Sequence, residues 1–300
     1  MRKLFVIGLV LVFAASVMVA AQQQASPATG VPKILQITRE DIKIGRTTSH
    51  DNLVGSVRRA SATQKSSYHW VAARTASGNA NENIFFAGFD SFADFDKRGR
   101  EFERSMKVAL EDSEVSRDNI ETHLNKRGII ARLREDLSYN HSQIRPPEAT
   151  TWTMKTIRVK PGTSGDYAEM MKTVVDLHKK AGIAEQWATY EVAFGGNTPT
   201  FLIFTPYKNI AELDDTSLEG IHKEVFTSTV RKQLTALTKD SILTEEATLL
   251  RMSPEISNPE PEFVAANAAF WTVKEPDAPA LAKGKTPRKS AVEPASLKKQ

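Results

Sequence analysis

The feature that most constrains this 300-residue chain is an internal repeat. Sliding the sequence along itself by 117 places Gly45 on Gly162, Leu53 on Met170, Val54 on Met171, Val57 on Val174, Trp70 on Trp187 and Gly78 on Gly195 without a gap. One inserted residue then brings Phe92, Phe95 and Asp96 onto Ile210, Leu213 and Asp214. A repeat of this period is domain-sized, so it predicts a duplicated domain rather than a solenoid.

The second copy is the clearer one. Ile157 and Val159 alternate with Arg158 and Lys160, the period of a half-buried strand, and Pro161-Gly162 stops it. Tyr167, Met170, Met171, Val174 and His178 then recur at helical spacing, and Gly182 ends that helix. Trp187 to Phe194 and Phe201 to Phe204 flank Gly195-Gly196-Asn197 as a hairpin. Helical spacing resumes at Ile210, and Thr248 to Met252 reads as a last strand. The first copy follows with a strand at Lys33 to Ile44, a helix at Ser49 to Lys65 and strands at Tyr68 to Arg74 and Asn83 to Phe89. A long helix from Phe92, a helix over Glu114 to Lys126 and a strand at Ile129 to Arg134 complete it. The expected fold class is α+β: two tandem ferredoxin-like β-α-β-β-α-β repeats, their sheets packed face to face as an internal pseudo-dimer.

At Val159-Lys160-Pro161-Gly162 and at Phe201-Leu202-Ile203-Phe204 with Ile210 to Asp214, the chain resembles the dimeric α/β-barrel superfamily. That group includes cofactor-free antibiotic-biosynthesis-type monooxygenases, haem-degrading enzymes, chlorite dismutase-like haem proteins and NIPSNAP-like proteins. The resemblance implies a fold and leaves the activity open. Ile44-Gly45 stands where the second copy has Pro161-Gly162.

The expected organisation is a signal peptide over 1–21, a polar lead-in over 22–32, repeat 1 over 33–145, a linker over 146–150 and repeat 2 over 151–260. An extra edge strand over 261–274 follows, suggested by the likeness of Phe270-Trp271-Thr272-Val273-Lys274 to Thr151-Trp152-Thr153-Met154-Lys155, and then a disordered basic tail over 275–300. Arg2 and Lys3, the apolar run from Leu4 to Ala15 and Val19-Ala20-Ala21 predict export to the periplasm or the extracellular space, with no stable membrane anchor. The chain has no cysteine, which excludes disulfides and thiolate chemistry. Its net charge of +4 lies in the leader and the tail, so the folded core offers no basic groove and no nucleic-acid partner is expected.

No HExxH, GxSxG, P-loop or GxGxxG occurs, and no metal site is expected. Trp70, Trp187, Tyr190, Met170 and Met171 are the candidate ligand-binding residues, as large or soft apolar groups near the expected cavity. No cofactor is predicted; the resemblance implies haem as an alternative, with His178 or His222 as the ligand. The Asn, Trp and His, Tyr or Arg set of the cofactor-free monooxygenases does not transfer onto Trp187, Tyr190 and Asn197. The expected function is therefore an exported monomer or homodimer that binds a small apolar or aromatic molecule, or is structural, without catalysis. The alternative is a monooxygenase-like or haem-dependent oxidoreductase.

Overall fold

In β1 (Ile34–Ile42), Leu35 and Ile37 face one way, and Gln36, Thr38 and Glu40 face the other, as the two-residue period requires. The computed structural model describes residues 30–215, 225 and 227–273. After β1 come α1 (Thr47–Thr63), β2 (Val71–Thr75), β3 (Glu82–Phe89), α2 (Phe92–Ala109), α3 (Ser113–Glu121) and β4 (His123–Leu133). The second half has β5 (Thr151–Val159), α4 (Ser164–Ala181), β6 (Ala188–Phe194), β7 (Thr200–Tyr207), α5 (Ser228–Ser241) and β8 (Ile242–Met252). Gly45 and Gly162 take positive φ, 79° and 87°, at the matching turns from β1 into α1 and from β5 into α4.

The eight strands close into one barrel in the order β1-β3-β2-β8-β5-β7-β6-β4, every neighbouring pair antiparallel. The expected stack of two face-to-face sheets is corrected here. β2 pairs with β8 and β4 with β6, so the two sets of four strands form one continuous sheet that encloses its own core and leaves no open edge. Leu35, Ile37, Trp152, Met154, Tyr190 and Phe204 fill the interior. Two further apolar layers lie outside it: α1 covers one half through Leu53, Val54 and Val57, with Phe95, Phe102 and Met106 of α2 packed on the same layer, and α4 covers the other through Tyr167, Met170 and Met171. Each such side chain contributes roughly 1.5–3 kcal/mol when fully buried.

The halves are locked together twice, by the same device. Past β4, the chain turns at Glu135–Leu137, and past β8 at Pro254–Ile256. The Trp187 indole N–H donates to the Leu137 carbonyl at 2.9 Å, and the Trp70 indole N–H to the Ile256 carbonyl at 2.9 Å. Ser138 Oγ accepts from the Thr189 amide at 2.9 Å, and Ser257 Oγ from the Ala72 amide at 2.8 Å. Each half's last strand thus runs on to latch the other half's tryptophan segment.

Two elements differ from the sequence reading. The helix expected over Glu114 to Lys126 ends at Glu121, where the Thr122 hydroxyl and amide both turn back to the Asp118 carbonyl; His123 opens β4. Where an edge strand is expected over 261–274, the described residues 261–273 hold two short helices, α6 (Pro261–Ala266) and α7 (Ala268–Trp271). Trp271 and Asn267 both donate to the Pro147 carbonyl, which pins this segment to the link between the halves. No helix of the described residues is long and apolar enough to cross a membrane. The leader, His222 and the basic tail lie outside the described residues.

Candidate active site

Strand register puts the two halves side by side. Glu40 on β1 stands opposite Asn83 on β3 and Lys126 on β4, whereas Ile157 on β5 stands opposite Phe201 on β7 and Glu245 on β8. His123 opposes Ile42, and Ile242 opposes Val159. His50 and Tyr167 are each the fourth residue of their helices. Half two therefore fills with Ile157, Tyr167, Phe201 and Ile242 the space that half one gives to Glu40, His50, Asn83 and His123. The Tyr167 and Phe201 rings lie 4.6 Å apart there.

In half one the polar groups converge. Glu40 Oε2 lies 2.8 Å from His50 Nε2 and 3.2 Å from His123 Nε2, while Glu40 Oε1 takes Lys126 Nζ at 2.6 Å. His50 is fully buried, and its Nδ1 lies 3.2 Å from Asn83 Nδ2 and 3.6 Å from Asp51 Oδ1. Asp51 in turn accepts from Arg74 at 2.7 Å. His123 Nδ1 sits 3.1 Å from the Asn119 carbonyl. That carbonyl can only accept, so Nδ1 of His123 carries a proton. Burial pushes the Glu40 carboxyl up, but the hydrogen bonds from His123 and His50 and the Lys126 ammonium overcome it and hold the group well below the usual carboxylate range. Burial also pushes His50 down, and the Asp51 and Glu40 carboxylates carry it above the ordinary imidazole value.

The cluster closes one end of a cavity of about 190 Å³ between the outer face of β1 and β3 and the helices α1 and α2. Glu40, His123 and Lys126 reach the cavity; Tyr68, Trp70, Phe85 and Phe102 supply its aromatic walls. Tyr68 and Phe102 stack with centroids 4.5 Å apart, and the Tyr68 hydroxyl donates to Gln36 Oε1 at 2.9 Å. Burial raises the Tyr68 phenol above its ordinary value, so the hydroxyl stays a neutral donor. A second cavity of about 160 Å³ lies at the barrel mouth, lined by Tyr190, Trp152 and Phe204 and by Val31 and Pro32 of the lead-in.

The five expected ligand-binding residues do not come together. Trp70 borders both cavities, and Tyr190 borders the barrel-mouth one, its hydroxyl donating to the Pro32 carbonyl at 2.8 Å. Trp187 packs against Tyr139 in the latch, and Met170 and Met171 pack in the filled outer layer of half two, where helical spacing turns them toward the sheet. A haem on His178 does not fit. Its Nδ1 lies 2.8 Å from the Val174 carbonyl and its Nε2 3.5 Å from Glu185 Oε2, and the ring is enclosed between Tyr139 and Trp187, away from both cavities. Sequence reasoning missed Glu40, His50 and His123 because they come from two strands and a helix, with no short spacing to betray them. The repeat held the signal: Glu40 and His50 fall on Ile157 and Tyr167 at the same offset of 117.

No family model and no curated protein sequence matches the chain. Solved structures do resemble it. An anthrone oxidase-like protein is 10% identical with a TM-score of 0.45, covering 75% of this chain and 93% of that one. A candidate monooxygenase from Fusobacterium nucleatum subsp. nucleatum is 16% identical, with 0.44, 74% and 93%. A double mutant of chlorite dismutase from Candidatus Nitrospira defluvii is 6% identical, with 0.45, 80% and 98%. The expectation of a binding or structural protein without catalysis rested on the lack of any candidate catalytic set, and it is corrected: Glu40, His50 and His123, far apart in the chain, come together with donor atoms within 4.8 Å of one another, groups able to do acid–base or metal chemistry.

Proposed function

We propose that this chain is an oxidative enzyme of monooxygenase type, working on a small aromatic substrate in the half-one cavity. One observation carries the reading. A buried histidine–carboxylate cluster opens onto an aromatic cavity in half one, and the equivalent positions of half two are filled with apolar side chains. The fold can therefore be built without the cluster. Buried charged groups are expensive to keep, since apolar replacements are often neutral or stabilising, so their presence in one half only favours a working role. We read the halves as a duplicated β-α-β-β-α-β unit in which one copy kept a site and the other became scaffold. An exported setting, inferred from residues 1–21, belongs to the same proposal.

The size of the cavity, about 190 Å³, falls below the roughly 300–1,000 Å³ of drug-sized pockets, so the substrate has one or two rings. It lies against Tyr68, Trp70 and Phe102 with an acidic hydroxyl toward His123 and Lys126. His123, its Nδ1–H fixed by Asn119, takes that proton at Nε2; Glu40 stabilises the imidazolium, and Lys126 the aromatic oxyanion. The electron-rich anion then reduces dioxygen: a ring CH₂ becomes a C=O and the second oxygen atom leaves as water. Oxygen uptake with a panel of one- and two-ring enolisable ring ketones, whose hydroxyl tautomers carry the acidic proton and whose keto forms hold the ring CH₂, tests this. Uptake is expected, and His123→Ala should lower kcat by at least about 100-fold, the low end of general-base contributions. Undetectable uptake across the panel, or full activity in that variant, counts against the reading.

A further inference from the structure

We infer that Glu40, His50 and His123 form a binding site for one divalent first-row transition cation, held through Oε2 and the two Nε2 atoms. It rests on the reading of the half-one cavity as a working site and names what that site would hold.

The three donor atoms all lie within 4.8 Å of one another. Donors held at about 2.1 Å from a cation and at right angles lie roughly 3 Å apart. Oε2 is 2.8 Å from one Nε2 and 3.2 Å from the other. Lys126 occupies Oε1, leaving Oε2 as the single oxygen shared by both imidazoles.

Groups behind the imidazoles support the same assignment. Ligating histidines donate their other ring N–H to a carbonyl or carboxylate, which fixes the tautomer. His123 does so to the Asn119 carbonyl at 3.1 Å. In the neutral ring this turns the Nε2 lone pair onto the Glu40 carboxylate at 3.2 Å, an arrangement that needs a cation or a proton between them. Behind His50, Asp51 Oδ1 is buried, has no hydrogen-bond partner among the described residues and lies 3.6 Å from Nδ1. The neighbouring Asn83 amide can present its oxygen to the same Nδ1–H, since amide oxygen and nitrogen are interchangeable by rotation.

Two imidazoles and one carboxylate suit iron, cobalt, nickel or zinc rather than calcium or magnesium, and such a set leaves coordination positions open. His50 is sealed in, while Glu40 and His123 border the cavity, so the open positions face the substrate space. An aromatic hydroxyl there would be a ligand oxygen; with His123 Nε2 on the cation, the cation rather than a free imidazole would draw off the hydroxyl proton, so the general-base role of His123 belongs to the cation-free site.

The test is a titration of chelator-stripped protein with cobalt(II), followed by its visible absorption. One equivalent should bind saturably. His123→Ala should weaken it at least about tenfold, and Asp51→Asn, a partly exposed second-sphere change that spares all three ligands, about tenfold. His178→Ala, in half two, should leave binding unchanged. Absent saturation, or affinity unchanged from the parent protein in both His123→Ala and Asp51→Asn, overturns the site. Chelator-insensitive oxygen uptake without cobalt binding also overturns it and spares the enzymatic reading. Cobalt binding without oxygen uptake keeps the site and removes that reading.

Discussion

In half one, Glu40, His50, Asn83 and His123 surround a buried charge beside an open cavity; in half two, Ile157, Tyr167, Phe201 and Ile242 occupy the same lattice positions and pack against α4. The registers of β1 against β3 and β4 and of β5 against β7 and β8, the turns into α1 and α4, and the two latches recur in both halves. The contrast separates what the barrel requires from what it carries. Elements present in both halves, above all the tryptophan latches, close the barrel. The cluster, present in one, has no structural counterpart to account for it.

The largest effect expected from breaking this comparison is at the latches. Trp70→Ala and Trp187→Ala each remove a buried indole and its 2.9 Å bond to the opposite half, so each should lose roughly 3–5 kcal/mol of stability in denaturant unfolding. Only the first change also opens a cavity wall, so among folded molecules only Trp70→Ala should alter oxygen-uptake kinetics. Stabilities that differ by more than about 2 kcal/mol would end the claim that the two latches are equivalent. A smaller effect sharpens it. Ser138→Ala and Ser257→Ala strand the buried amides of Thr189 and Ala72, and each should lose about 1–3 kcal/mol, measured as matched shifts in denaturation midpoint.

The order and packing of several elements were legible in the sequence because similar packing residues recur at an offset of 117. Trp70 and Trp187, Gly45 and Gly162, and the stripes Leu53-Val54-Val57 and Met170-Met171-Val174 occupy matching structural places. Barrel closure was harder to read, since β2–β8 and β4–β6 pairing joins segments far apart in the chain and leaves no local pattern. The start of β4 was hidden too: residues 124–128 are exposed on both faces, so no apolar alternation marks them, and His123 was assigned to the preceding helix. That one misplaced residue concealed the site. The tryptophans drew attention by size, yet their indoles serve the latches.

The central claim is that the half-one cluster is kept for function and is dispensable for folding. Its most direct test grafts the half-two set into half one, as the quadruple variant Glu40→Ile, His50→Tyr, Asn83→Phe, His123→Ile, and measures thermal unfolding and oxygen uptake on the same sample. The account predicts a folded protein with an unchanged or higher Tm, since replacing buried ionic groups with packed apolar ones is neutral to stabilising by about 1–4 kcal/mol, and no detectable uptake. A variant that fails to fold would show the cluster to be structural, and one that folds and still consumes oxygen would place the chemistry elsewhere.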